Sequence, residues 1–366
     1  MIDNIFSPSF GNKPNQLIGR EGTISELLDG INTRYGSKER ASLILGNRGV
    51  GKTVLLLELF ELAKKNNYIV ASPTIVSGGM LERIVEKIQD EGERYTDLNK
   101  SKITGGNVGF LGFSAGLQFT TEERRGKSFP YKLDKLTKAL NEKGLGVLIL
   151  IDEVKANSKD LKELIIAYQE MVGKGRNISL VMAGLPGAIS TTINNHVLTF
   201  LNRAKKYNLD PLRNGDIDAY YEKSFKELGV NISEKKRVEL VERTQGFPYL
   251  MQLLGHYVVV NADDNGKIND ASFAKAIKTA EREFKDDICL ATLNDLSDRD
   301  VDLLKVVAFK GDVVSVKEII DEMKARPDYV NQYKRRLIDV GVLEQVKRGE
   351  VRIAIPYIKE YLQENS

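Results

Sequence analysis

Three glycines, a lysine and a threonine stand at fixed spacing in Gly46-Asn47-Arg48-Gly49-Val50-Gly51-Lys52-Thr53, between the apolar run Ala41-Ser42-Leu43-Ile44-Leu45 and the leucine-rich run Val54-Leu55-Leu56-Leu57-Glu58-Leu59-Phe60. No other segment limits the fold of this chain so tightly. The first run reads as a buried parallel strand and the second as a helix, so the glycines between them form a tight strand-to-helix turn. Successive N–H groups from about residue 49 to residue 52 then converge on one cavity at a helix N-terminus, where they meet phosphate oxygens. Lys52 reaches the β- and γ-phosphates of a nucleoside triphosphate, and the Thr53 hydroxyl ligates the Mg2+ that bridges them. Candidate nucleotide contacts are Gly46, Asn47, Arg48, Gly49, Val50, Gly51, Lys52, Thr53 and Val54, which follows the motif. A glycine-rich turn with a surface lysine is the alternative, and it does not account for the full match of spacing and context.

The 366 residues suggest roughly two to three domains. With 42% hydrophobic and 29% charged residues the chain has the composition of a globular protein, and 54 basic against 51 acidic residues leave a net charge of only +3. That balance does not demand a nucleic-acid or membrane partner. No apolar run approaches the roughly 20 residues of a membrane span, and Met1-Ile2-Asp3-Asn4 lacks the basic start and apolar stretch of a signal peptide. A cytoplasmic location is expected. Cys289, the single cysteine, reads as a buried inert thiol between Ile288 and Leu290, and the only histidines, His196 and His256, lie far apart. A structural zinc site and a histidine-based triad are not expected.

Around the phosphate loop, strands are read at 68–71, 146–151 and 178–183, and helices at 24–31, 80–88, 131–140 and 161–172. Their alternation implies a parallel sheet. The segment from Phe6 to Gly11, with turn residues between two aromatics, suggests irregular chain laid in an apolar groove, and the glycine-interleaved apolar residues of 105–128 suggest an inserted hairpin with a basic tail. From 216 to about 291 the strand signals fade and helical spacing takes over. Beyond 294, helices at 300–309, 315–323 and 330–340 precede Leu343-Glu344-Gln345-Val346 and Val351-Arg352-Ile353-Ala354-Ile355, which flank a glycine-bearing turn. Three helices and a hairpin describe a winged helix.

The most continuously apolar of these runs ends in Asp152-Glu153. An acidic pair at the carboxyl end of a buried strand, expected beside the phosphate-loop strand, supplies what the loop lacks for hydrolysis. Asp152 holds the metal through water, and Glu153 orients or deprotonates the water that attacks the γ-phosphate. Alone, such a pair also occurs as a helix cap; the phosphate loop upstream gives it its meaning.

With these residues the chain resembles the AAA+ superfamily, and more closely the branch that holds archaeal origin-recognition ATPases, archaeal-type ATPases and STAND signalling NTPases. The likeness runs through Leu17-Ile18-Gly19-Arg20-Glu21, the two nucleotide motifs, Gly184-Leu185-Pro186 after the fourth strand, Gly246-Phe247-Pro248-Tyr249, and the C-terminal winged helix. It implies an α/β fold: a P-loop NTPase core over 1–213, a helical lid over 214–293 and a winged-helix domain over 294–366. It also implies ATP or ADP with Mg2+ as ligands. Ile18, Gly19 and Arg20 would lie against adenine and ribose, or else form a helix-leading turn whose arginine pairs with a surface acid. Pro248 and Tyr249 would close the lid over the base, or merely start a helix. Arg203 has about the spacing of an arginine finger that acts on a neighbouring subunit, which would make self-assembly ATP-dependent; a solvated helix end is the alternative.

Two departures from the resemblance point to a slow switch. Val181-Met182-Ala183-Gly184-Leu185 has no polar sensor, and Gly246-Phe247-Pro248 offers no second-sensor arginine. The output is expected at the winged helix, where Lys334, Arg335 and Arg336 lie on the third helix and Lys347, Arg348 and Arg352 on the wing. These residues suit DNA, but acids nearly as numerous, among them Asp298, Asp300 and Asp339, leave no domain-wide basic field. In STAND-like relatives the same unit packs on the core and holds it closed. The reading is an ATP-binding, slowly hydrolysing switch whose winged helix contacts DNA or protein; in the alternative, hydrolysis is incidental to a binding module.

Overall fold

Every residue of the runs Gly146–Ile151 and Ile178–Gly184 is buried, as strands sandwiched between helices on both faces must be. The computed structural model describes residues 5–9, 16–32, 37–72, 79–100, 119, 126–155, 158–193 and 199–365. The first part of the chain runs α1 (Glu21–Asn32), β1 (Ala41–Leu45), α2 (Lys52–Lys65), β2 (Tyr68–Ala71), α3 (Met80–Lys100), α4 (Phe129–Asn141), β3 (Gly146–Ile151), α5 (Lys159–Gly173), β4 (Ile178–Gly184), α6 (Pro186–Ile193) and β5 (Lys205–Asn208). The strands pair in parallel in the order β2-β3-β4-β1-β5. Alternate residues of these apolar runs enter different cores. Leu43, Ile149 and Leu180 pack on one face, and Ile44, Leu148 and Val181 on the other.

One expectation needs correction: β3 does not lie beside β1. Strand β4 stands between them, with Ala41 opposite Leu180 and Val147 opposite Ile178. Strand order is a non-local property that apolar runs do not encode, whereas the edge position of β5 follows from its polar composition, Lys205-Lys206-Tyr207-Asn208. Because all five strands are parallel, the carboxyl end of β3 still opens on the same edge as that of β1, about 10 Å away.

Four helices follow: α7 (Asn214–Glu227), α8 (Glu234–Arg243), α9 (Pro248–Val260) and α10 (Asp270–Phe284). A π-helical turn (Lys285–Leu290) and the short α11 (Ala291–Asn294) lead on from them. The C-terminal unit comprises α12 (Asp298–Lys310), β6 (Val314–Ser315), α13 (Val316–Met323), α14 (Pro327–Asp339), β7 (Leu343–Lys347), β8 (Glu350–Ile353) and α15 (Ile358–Glu364), its strands antiparallel in the order β6-β8-β7. Ser297 and Ser315 start α12 and α13 with capping boxes closed by Asp300 and Glu318. A single apolar cluster joins Phe6 and Ile18 to Tyr221, Leu254 and Phe284, and continues to Leu304, Leu337 and Leu362.

The amino-terminal segment does lie in an apolar groove. Phe6 is 4% exposed, with its ring 5.8 Å from Tyr220, 6.0 Å from Tyr221 and 5.4 Å from Phe225. It rests on Gly255, where an added Cβ would fall 2.2 Å from the ring. Phe10 and Gly11, and most of the hairpin expected over 105–128, lie outside the described residues. Cys289 is buried, and burial pushes its thiol up to about 12, as expected of an inert cysteine.

Phe6→Ala is expected to destabilise the chain by about 3–4 kcal/mol, and exposed Ser9→Ala by less than about 0.5 kcal/mol, both read from urea unfolding midpoints.

Candidate functional site

Beyond β1 the chain turns at Gly49 (φ 76°) and Gly51 (φ 94°), conformations open to glycine and strained for other residues. Gly51 is the N-cap of α2 and has no side-chain capping bond, so the first N–H groups of α2 face outward as donors at the positive end of the helix. Lys52 bends back and donates to the carbonyls of Gly46 and Asn47, both at 2.8 Å. Burial lowers its pKa to about 8, against the pull of Asp152 and Glu153; Arg48 lowers it further.

The Thr53 hydroxyl donates to Asp152 Oδ2 at 2.7 Å. The other carboxylate oxygen, Oδ1, accepts from the Glu153 N–H at 2.9 Å. Glu153 itself is exposed and holds φ at 51°, unusual for a residue with a side chain and a strain that concentrates at functional sites. Thr53 and Asp152 therefore converge as oxygen donors, the set that suits Mg2+, which takes one or two protein oxygens and completes its shell with phosphate and water. Among the described residues there is no cluster of three or more His, Cys, Asp and Glu that would cage a metal instead.

Beyond Glu153, the Val154 N–H donates to the Ala183 carbonyl at 2.9 Å, and a Cβ on Gly184 would fall 3.1 Å from Val154 Cβ. The end of β4 is thus closed by apolar packing. A larger side chain at Gly184 would meet Val154.

Ile18 is buried in the cluster with Leu212, and Gly19 (φ 63°) presses against Leu212 and Asp216. The Arg20 guanidinium donates to the Asp210 carbonyl, and burial lowers its pKa despite Asp210 and Glu21 nearby. The Leu212 N–H in turn donates to the Gly246 carbonyl at 2.8 Å, tying this box to the start of α9. A Cβ on Gly51 would lie 3.6 Å from Pro248 Cγ, and one on Gly49 3.8 Å from Tyr249 Cβ. The Tyr249 hydroxyl donates to Asp287. These contacts bring residues 18–20, 46–54, 152–153 and 248–249 together around the loop.

Arg203 is not part of it. It is exposed at the end of a 3-10 turn (Thr199–Arg203) before β5, and because β5 runs parallel to β1, it sits at the opposite edge from the loop. That distance is on the order of 15 Å.

The C-terminal unit adds a further set of contacts that no sequence motif marks. Arg48 forms an ion pair with Asp295, and Gly49 approaches Ile288 as well as Tyr249. A Cβ on Gly341 (φ 73°) would fall 2.2 Å from Asn47 Oδ1, and one on Gly187 2.1 Å from the Asp339 carbonyl oxygen. The carboxyl end of α14 thus touches both the phosphate loop and the turn after β4.

Of the basic residues on this unit, Arg335 lines a cleft of about 380 Å³ against Leu185 and Ala188. Arg336 reaches the fully buried Asp300 at 3.3 Å, Lys347 pairs with Glu350 at 3.0 Å, and Arg352 with Glu344. Lys334 donates to Asn331 at 2.9 Å, and Arg348 is exposed in the hairpin turn.

The profile of an ATPase domain predominantly from Archaea matches residues 18–254, and that of a domain of unknown function matches residues 286–362. Among solved structures, the chain is similar to a Walker-type ATPase of Pyrococcus abyssi, with TM-score 0.73 and 18% identity over 98% of this chain and 99% of that one. It is also similar to the ORC2 protein of Aeropyrum pernix in its ADPNP-ADP complexes (TM-score 0.63, 15% identity, 98% and 95% covered). A third similar structure is Cdc6p of Pyrobaculum aerophilum (TM-score 0.53, 17% identity, 100% and 98% covered). At these identities the likeness is one of fold, the P-loop NTPase fold. No curated protein matches. Among the described residues no helix is long and apolar enough to cross a membrane.

The lowered pKa of Lys52 makes it reactive early. Acetylation followed by peptide mass spectrometry across pH should show Lys52 with a midpoint near 8, while solvent-exposed lysines follow at about 10.4. Between those values the unfolded chain holds a proton that the folded chain has released, so the contribution of Lys52 to stability rises with pH across the window.

Proposed function

Since the chain belongs to the family of ATPase domains found predominantly in Archaea, we propose that it is a nucleotide-gated switch. It binds ATP with Mg2+, hydrolyses it slowly to ADP and phosphate, and couples the change to the seating of its C-terminal unit. The observation that carries this reading is the contact of Gly341 with Asn47: a nucleotide that reshapes the loop also disturbs that seat.

The outward N–H groups of Gly49 to Lys52, with the Lys52 ammonium, hold the phosphates; Ile18, Gly19, Arg20, Pro248 and Tyr249 hold the nucleoside. Thr53 holds Mg2+ directly and Asp152 through water. When bound, Mg2+ neutralises charge on the phosphates. Glu153 orients the attacking water and accepts its proton. Turnover is slow because the end of β4 supplies no polar side chain and the start of α9 no arginine. Arg203, exposed and remote from its own loop, acts on the site of a second copy, so that ATP drives assembly.

The C-terminal unit, read as a winged helix, is the output. Its docked position favours the holding role over DNA contact, since the face of α14 that carries Arg335 and Asp339 is turned to the core. DNA or protein contact then follows undocking. The protein is placed in the cytoplasm on the same reading.

Phosphate release and nucleotide titration test the assignment together. Glu153→Gln should bind ATP within about twofold of wild type and lose about 10²-fold or more in turnover, whereas Lys52→Ala should lose binding. Full turnover in Glu153→Gln removes it as the base, and unchanged binding in Lys52→Ala removes the site.

A further inference from the structure

The loop carries two cations, and they are disposed differently. Lys52 turns inward to the carbonyls of Gly46 and Asn47, while Arg48 leaves the loop and pairs with Asp295. Asp295 belongs to no nucleotide motif. It lies between α11 and Ser297, the residue that caps the first helix of the C-terminal unit. The segment that brings it there runs along the mouth of the site, with Asp287 accepting from Tyr249 and Ile288 beside Gly49. Part of it is the π-helical turn Lys285–Leu290, a distortion that recurs at functional sites.

The magnitude of this ion pair indicates its use. The side chains of Arg48 and Asp295 are 39% and 63% exposed, and an ion pair so open to water is weak. A terminal phosphate carries more charge than a carboxylate and accepts a guanidinium through two parallel bonds, so it competes well for Arg48. Arg48 is also close enough to the ammonium of Lys52 for the two charges to repel, which places it near the β- and γ-phosphates that Lys52 is assigned to hold.

We propose that Arg48 is a specificity-determining residue that contacts the terminal phosphate of a nucleoside triphosphate, and that Asp295 is the counter-ion it exchanges for that phosphate. A diphosphate has no group to take Arg48, and the pair with Asp295 persists. Discrimination between triphosphate and diphosphate, and release of the chain entering the C-terminal unit, are then one event. The proposal rests on the ATP-binding reading above.

Calorimetric titration of the full chain with AMP-PNP and with ADP, both in Mg2+, tests it in wild type, Asp295→Asn, Arg48→Gln, the double variant and Lys52→Ala. Asp295→Asn should tighten AMP-PNP binding about fivefold and leave ADP within about twofold. Arg48→Gln should weaken AMP-PNP about tenfold more than it weakens ADP, and adding Asp295→Asn to it should change nothing further. Equal effects of Asp295→Asn on both nucleotides, no effect on either, or additivity in the double variant overturns the exchange. Wild type that binds neither nucleotide, or binds as Lys52→Ala does, overturns the ATP-binding reading and this proposal with it. Binding that needs Lys52 with an unchanged triphosphate preference in Asp295→Asn overturns this proposal alone.

Discussion

The hydrogen bond from Thr53 to Asp152 closes the site across an intervening strand, and much of the rest follows from how that span is achieved. The loop after β1 and the acidic end of β3 meet although β4 separates their strands. The meeting requires β4 to end low and small, and Ala183-Gly184 does: the chain after Asp152 folds over it, with the Val154 N–H on the Ala183 carbonyl and the Val154 side chain against Gly184. A bulky polar residue at Gly184 would collide with that fold-over. The packing that brings Thr53 and Asp152 together therefore also leaves no room for a large side chain at the end of β4.

Three other glycines serve as contact surfaces. Gly246 admits Pro211 and the Leu212 carbonyl, which joins the Ile18-Gly19-Arg20 box to α9; Gly187 admits the backbone of Asp339; Gly341 admits Asn47. At each of them an added Cβ would overlap a neighbour, so the contacts are between backbones or against them and depend little on side-chain chemistry. Behind them the C-terminal unit shares one apolar cluster with α7, α9 and α10. The ion pair of Arg48 with Asp295 adds direction to a docking whose bulk is apolar burial.

Whatever is encoded by short-range pattern was legible in the sequence. The phosphate loop, the Asp152-Glu153 strand end, the parallel class of sheet, the helices from α7 to α10 and the C-terminal helices with their hairpin all follow from periodicity, glycine placement and apolar runs. The order of the strands was not legible, since β1, β3 and β4 are all apolar runs and the continuity of β3 does not say which strands flank it. Strand β5 was missed because an edge strand reading Lys205-Lys206-Tyr207-Asn208 buries only Tyr207 fully. Docking of the C-terminal unit on the core was one of the sequence alternatives, but the contacts it makes with the loop were missed for a different reason. They are made by glycines and by Asp295, whose partners lie far away in sequence, and a glycine announces a turn much more readily than a long-range contact.

The anchorage of Phe6 has a mechanical side. The segment around Phe6 lies among the rings of Tyr220, Tyr221 and Phe225, the chain then reaches α1 on the sheet side, and it returns after β5 to enter α7. Two covalent crossings therefore join the helical body to the sheet body, one on the way out and one on the way back. A body held by a single strand of chain can swivel about it; one held by two can only rock about the line between them. Relative motion of the two bodies is thereby confined to one hinge axis.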